Sequence, residues 1–259
     1  MLLKEIKILL NIIKSLNRRV VIIFISVALL QTISWYYTSR SFFRLNLVEY
    51  FKSSQNISLS EYYYWFISDF FTLLILPVLI IKLILNAKVK DFGFQFGDYK
   101  AGLKYSFLFI LFMIPLIWIV SGSQSFATTY PHLQGARSSW SIFFLFETGM
   151  LIYMIAWEFV WRGYMLFGLK EKFGYYAILI QMIPFLILHN GKPVLETFGA
   201  IFGGIALGIL AWRTASFYYC VIIHMAVMFT IDFISVLRFK TSEYGIGIES
   251  LIKIFSNYL

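Results

Sequence analysis

The sequence predicts an all-α fold, a polytopic integral membrane helical bundle of about seven transmembrane helices with an amphipathic helix at its N-terminus. Three observations predict it. The 259 residues are 60% apolar and 20% aromatic with only 14% charged, against about 45–50% apolar and about 25% charged in soluble chains. Apolar windows of bilayer-crossing length recur along the chain, separated by short connections. Lys and Arg collect at alternate ends of those windows, as orientation in a membrane requires.

The elements follow in order. In residues 1–19, Leu2, Ile6, Leu9, Ile13 and Leu16 alternate with Lys4, Lys7 and Lys14 at helical period, the pattern of a helix lying in the interface. This segment lacks a short apolar core followed by small residues, so it is not read as a cleaved signal. Windows at 20–36, 62–85 and 103–121 place the first membrane helices and their loops in residues 20–139. Windows at 144–169, 174–189, 196–212 and 216–237 form a core at 140–237, and 238–259 is a tail. Pro77, Pro115 and Pro184 fall inside windows, where each removes a backbone hydrogen bond. Gly199, Gly203, Gly204 and Gly208 make two interleaved small-xxx-small pairs that suit close helix packing. No Lys-Ser/Thr follows them, so a phosphate loop is excluded.

With the N-terminus inside, Lys4, Lys7, Lys14, Arg18, Arg19, Lys82, Lys88, Lys90, Lys100, Lys104, Lys170, Lys172 and Arg213 fall on the cytoplasmic side. The expected location is a bacterial cytoplasmic membrane. The net charge of +9 reads as this bias together with attraction to anionic lipid, making the lipid bilayer a partner. Nucleic acid is not an expected partner, because no basic run interleaves with aromatics and no nucleic-acid motif is present. The lone Cys220 excludes a disulfide framework and a cysteine zinc site.

Ionisable residues at membrane depth are costly and suggest function. Glu158 and Arg162 stand four apart, the spacing that puts them on one helix face. Asp69, Glu147, His189, Glu196, His224 and Asp232 complete the set. Counting about 1.5 Å per residue from the turns near Glu171 and Thr214 puts Glu158 at about 20 Å, His224 at about 15 Å, and His189, Glu196 and Asp232 at about 27 Å. These five share one slab. Glu147, at about 36 Å by the same count, is set aside, and Asp69 with it.

The series Glu158-x-x-x-Arg162-Gly163, Phe185-x-x-x-His189 and a third segment opened by His224 resembles the CPBP family of intramembrane proteases, which comprises type II CAAX prenyl proteases, Abi proteins and bacteriocin-processing enzymes. The resemblance implies a helical bundle around a polar cavity, where a glutamate activates water against a peptide carbonyl. It assigns catalytic roles to Glu158, Arg162, His189 and His224. The histidines would stabilise the oxyanion or hold a divalent metal such as zinc. A metal is thus left open on His189 and His224, with no His-Glu-x-x-His signature to support it. The substrate it implies is a membrane-embedded or lipidated peptide or protein. The chain departs from the family pattern twice, with Trp157 where a leading Glu is usual and Met228 where a polar residue follows the last histidine. Glu196 and Asp232 are supporting candidates, the first as a second carboxylate or a helix-dipole partner, the second as a polar substitute or an interface carboxylate. Two other functions are carried: a non-catalytic bacteriocin-immunity-like peptide-binding membrane protein, and a proton-coupled transporter using His189, Glu196, His224 and Asp232. Against transport, the hydropathy pattern shows no two-fold repeat.

Overall fold

The computed structural model of the chain describes residues 2–256. Met1 and 257–259, the outer ends of the expected amphipathic segment and tail, lie outside the described residues, as do the side chains of Leu2, Leu3 and Leu9. Among the described residues the chain is helix and connection, with no strand. The principal helices are α1 (Leu2–Ser15), α2 (Arg18–Tyr36), α3 (Ile57–Ile84), α4 (Tyr99–Val120), α5 (Trp140–Phe173), α6 (Tyr176–Ile187), α7 (Val194–Thr214), α8 (Tyr218–Thr241) and α9 (Ile248–Ser256).

Six of these, α2 to α5 with α7 and α8, are long and apolar enough to cross a membrane. The expected window at 174–189 becomes the short α6. Its 12 residues reach only about 18 Å at 1.5 Å each, well short of the hydrocarbon thickness. Pro184 removes one bond from the helical ladder, and α6 ends at Ile187 before the chain turns through Asn190, Gly191 and Lys192, with Gly191 at φ +93°.

Short polar side chains start the long helices. Asn17, Asn56, Asp98 and Ser139 accept hydrogen bonds from the amides of Val20, Leu59, Ala101 and Ile142, each satisfying an orphan donor of the first turn. α5 is the central helix and the most buried of the six. α3 packs on it through aromatic edges, with Tyr62 and Phe146 ring centroids 5.0 Å apart and Trp65 and Tyr153 4.7 Å apart. Around Pro77, α3 widens into i→i+5 turns at Phe71–Ile75 and Ile80–Ile84, a local answer to the missing amide.

The expected glycine seam divides in two. A Cβ on Gly204 would stand 2.9 Å from Met182, and one on Gly208 2.9 Å from Gln181, so these two let α6 and α7 meet. Gly199 and Gly203 face open space and do not pack the seam. The reason is rotation: positions 203 and 204 differ by about 100° around the helix, so only one can face α6.

Lipid-facing positions carry exposed Leu29, Phe107, Phe112 and Phe202. Such a belt is costly in water and natural in hydrocarbon. Asp69 lies between α2 and α3, where Thr38, Ser34 and Trp65 all donate to it. That is a satisfied structural carboxylate.

Candidate active site

The site is built on a third widened segment, Phe159–Met165 in α5. Gly163 permits it, since a Cβ there would lie 2.4 Å from the Phe159 ring and 3.0 Å from the Phe92 carbonyl. Insertions of this kind are frequent at functional sites. Glu158 closes the regular part of α5 and Arg162 sits in the widened turn. Both are fully buried. Arg162 Nη1 donates to Glu158 Oε1 at 3.1 Å.

α8 brings His224 to the same oxygen. His224 Nδ1 donates to Glu158 Oε1 at 2.6 Å. Because a carboxylate only accepts, this bond places the proton on Nδ1 and leaves the lone pair of a neutral imidazole on Nε2. His189 is fixed the same way by a different partner: its Nδ1 donates to the Phe185 carbonyl at 2.8 Å. Its Nε2 is therefore also an acceptor when neutral.

Phe185 is the hub between these groups. Its ring lies 3.9 Å from the Arg162 guanidinium carbon, and its centroid is 4.4 Å from the His189 ring and 6.1 Å from the His224 ring. Trp157 completes the wall, 6.0 Å from Phe185 and 6.3 Å from His189. The residue standing where a leading Glu was expected thus lies against one of the two imidazoles. Met228, on the turn of α8 after His224, is buried in the apolar core.

The slab read from depth separates into two layers. Glu158, Arg162 and His224 are in direct contact, with His189 joined to them through Phe185. Glu196 and Asp232 belong to another group, beyond His189. There Tyr130 donates to Glu196 and Lys192 donates to His132 Nε2. His132 Nδ1 stands 4.0 Å from Asp232 Oδ1. Burial pushes the Lys192 ammonium below its ordinary pKa, against the opposing pull of Glu196 and Asp232.

Glu147, set aside on depth, is placed beside Asp232 as a hydrogen-bonding neighbour. Helix counting from one end assumes straight, parallel axes, whereas α5 is widened at Phe159–Met165 and runs beyond the other helices. Tyr130, His132 and Lys192 were not singled out from sequence. They sit on connections, where no periodicity aims a side chain, and the only cue was that His132 is the third of three histidines.

A resident metal was left open on His189 and His224. Among the described residues no three His, Cys, Asp or Glu side chains converge as a metal set, and Glu158 Oε1 is already committed to Arg162 and His224. The donor set does not fit a metal, and no chemical step is routed through one.

Residues 138–230 match the family model described as type II CAAX prenyl endopeptidase Rce1-like. The match contains Glu158, Arg162, His189, His224 and Glu196 and stops short of Asp232. It supports the CPBP family, as the three motifs implied. No curated protein and no solved structure matches the chain.

Proposed function

We propose that this membrane protein is an intramembrane endopeptidase that hydrolyses a peptide bond of a membrane-embedded or lipidated substrate. The observation carrying this reading is the Glu158–His224 hydrogen bond of 2.6 Å, a carboxylate aligned with an imidazole whose other nitrogen is free to take a proton.

Glu158 is sealed, while the His224 side chain keeps about a tenth of its surface exposed. The proton-accepting atom in this reading is therefore His224 Nε2, and Glu158 acts through it. Water attacks the carbonyl carbon as Nε2 takes its proton, and the Glu158 carboxylate stabilises the imidazolium that forms. His224 then returns that proton to the leaving nitrogen as the C–N bond breaks. His189 Nε2 accepts the water's second hydrogen and orients it.

A second reading, peptide binding without hydrolysis, is favoured by Trp157, an apolar wall against His189 where the family motif has a carboxylate. The protein in nanodiscs, incubated with a library of membrane peptides and analysed by mass spectrometry, separates the two. Cleavage by wild type that is lost in His224→Gln and reduced about 10²–10⁴-fold in Glu158→Gln, with folding intact, supports hydrolysis. Tight binding without any cleavage supports the second reading.

A further inference from the structure

Phe185 and His189, which lie against Arg162 and His224 in the site, ride on the hairpin of α6 and α7. That hairpin is tight at its base. Gln181 Nε2 donates to the Gly204 carbonyl at 2.9 Å, and Gly204 and Gly208 leave no room for a Cβ beside Met182 and Gln181. Toward its tip the packing thins out. Gly199 and Gly203 meet nothing within 4 Å, and Val194, Leu195, Phe198 and Phe202 are exposed. The tip is nevertheless stiff within itself. The His189 carbonyl accepts from the Thr197 hydroxyl at 3.0 Å and from the Lys192 amide at 3.2 Å, which ties the end of α6, the turn and the start of α7 into one piece.

The connection between α4 and α5 holds this tip. Tyr130 donates to Glu196 in the first turn of α7, and Lys192 in the α6–α7 turn donates to His132 Nε2. The Lys192 ammonium nitrogen also stands 5.5 Å from the centre of the Tyr130 ring. Tyr130 and His132 are themselves fixed to the body of the bundle. Tyr130 is fully buried, and its carbonyl accepts from Ser235 Oγ of α8 at 2.5 Å and from Arg137 Nη2 at 2.7 Å. The His132 carbonyl accepts from the Tyr62 hydroxyl of α3 at 2.7 Å. Two charge-assisted hydrogen bonds thus join a loosely packed tip to a fixed frame.

We propose that Tyr130, His132, Lys192 and Glu196 are positioning residues, a clasp that holds Phe185 and His189 over the Glu158–His224 pair and whose release lets the hairpin swing outward on its glycine seam. Glu196 precedes Gly204 by eight residues on one helix, a lever of about 12 Å at 1.5 Å per residue. A swing of about 25° on that lever moves the tip by about 5 Å. The exposed apolar face of α7 turns that opening toward the bilayer. Resting on the peptide-acting function proposed above, the open form admits a membrane peptide and the closed form sets His189 Nε2 against the attacking water.

The test reads a distance first, so that it stands apart from catalysis. Spin labels are placed at Leu195→Cys on α7 and Leu145→Cys on α5, both exposed positions, in a Cys220→Ala background in nanodiscs. The parent protein is expected to give one dominant distance. Tyr130→Phe/Lys192→Met removes both donors and is expected to add a second population displaced by about 5 Å, the tip movement of that lever. Glu196→Gln keeps an acceptor for Tyr130 and is expected to stay with the parent. Either single donor variant shows the second population in smaller share and serves where the double variant does not fold. A single unshifted distance in these variants, with or without a lower thermal transition, overturns the clasp and leaves the two bonds as ordinary packing. In peptide cleavage the double variant is expected to lose about ten- to hundredfold in kcat, since displacing a reacting group by about 1 Å costs about 10²-fold. A shifted distance with unchanged kcat overturns the positioning role. A shifted distance in a protein that cleaves no peptide leaves the clasp standing and removes the endopeptidase.

Discussion

The Arg162 guanidinium carbon lies 3.9 Å from the centre of the Phe185 ring, so the first and second motifs meet face to face in the core. A desolvated cation over an aromatic face contributes about 2 kcal/mol. Phe185→Leu keeps most of the volume and removes the ring. It is expected to lower stability by about 2 kcal/mol, measured by thermal unfolding in detergent, and to reduce any peptide cleavage because both imidazoles lose the surface that spaces them.

Glu158 and Arg162 are a fully buried pair. Removing one partner strands the other charge, at a cost of about 3–5 kcal/mol. Arg162→Met and Glu158→Gln are each expected to destabilise on that scale, while the double variant loses clearly less than the sum. The measurement is a double-mutant cycle of unfolding free energies. Additive losses would show that the pair is not coupled.

Neighbouring glycines on α7 should respond in opposite ways. Gly208→Ala forces a methyl to within 2.9 Å of Gln181 and of Ile178 and is expected to cost about 1–3 kcal/mol. Gly203→Ala meets nothing within 4 Å and is expected to be neutral or to gain up to about 1 kcal/mol from helix propensity. Parallel melts of the two variants decide it.

Glu243, in the turn between α8 and α9, is the acidic end of a contact that holds α9. Lys253 donates to it at 2.7 Å and the Gly245 amide at 3.0 Å. These bonds depress the Glu243 pKa from 4.5 to about 2. A depressed carboxylate contributes its full stabilisation above its unfolded value and loses it as the pH falls through the folded one. Amide exchange in Ile248–Ser256 is therefore expected to stay slow at pH 5 and to accelerate between pH 4.5 and 2. Lys253→Gln, lacking the larger of the two causes, should move that acceleration to higher pH.

Much of this architecture was legible in the sequence. Leu-, Ile- and Phe-rich windows of crossing length have one stable outcome in a bilayer, because every backbone amide must bond within its own helix. Pro184, five residues before His189, pointed to a disturbed end of α6, whereas the widening of α5 at Phe159–Met165 was not foreseen. The pair spacing of Glu158 and Arg162 needed only helical geometry. Depth counting failed in two ways: by assuming straight, parallel axes it set Glu147 apart from Asp232, which it lies beside, and by ignoring azimuth it grouped Glu196 with Glu158, from which it is separate.

The sequence by itself determined six of the seven expected membrane helices, their order and the motif residues Glu158, Arg162, His189 and His224, since these depend on composition and on spacing along one chain. Only the tertiary structure decided that His224 donates to the same Glu158 oxygen that Arg162 uses, that Phe185 separates the imidazoles, and that Glu147 meets Asp232. Those relationships join α5, α6 and α8, and helix rotation and widening set which side chains face one another. A one-dimensional pattern carries no record of either.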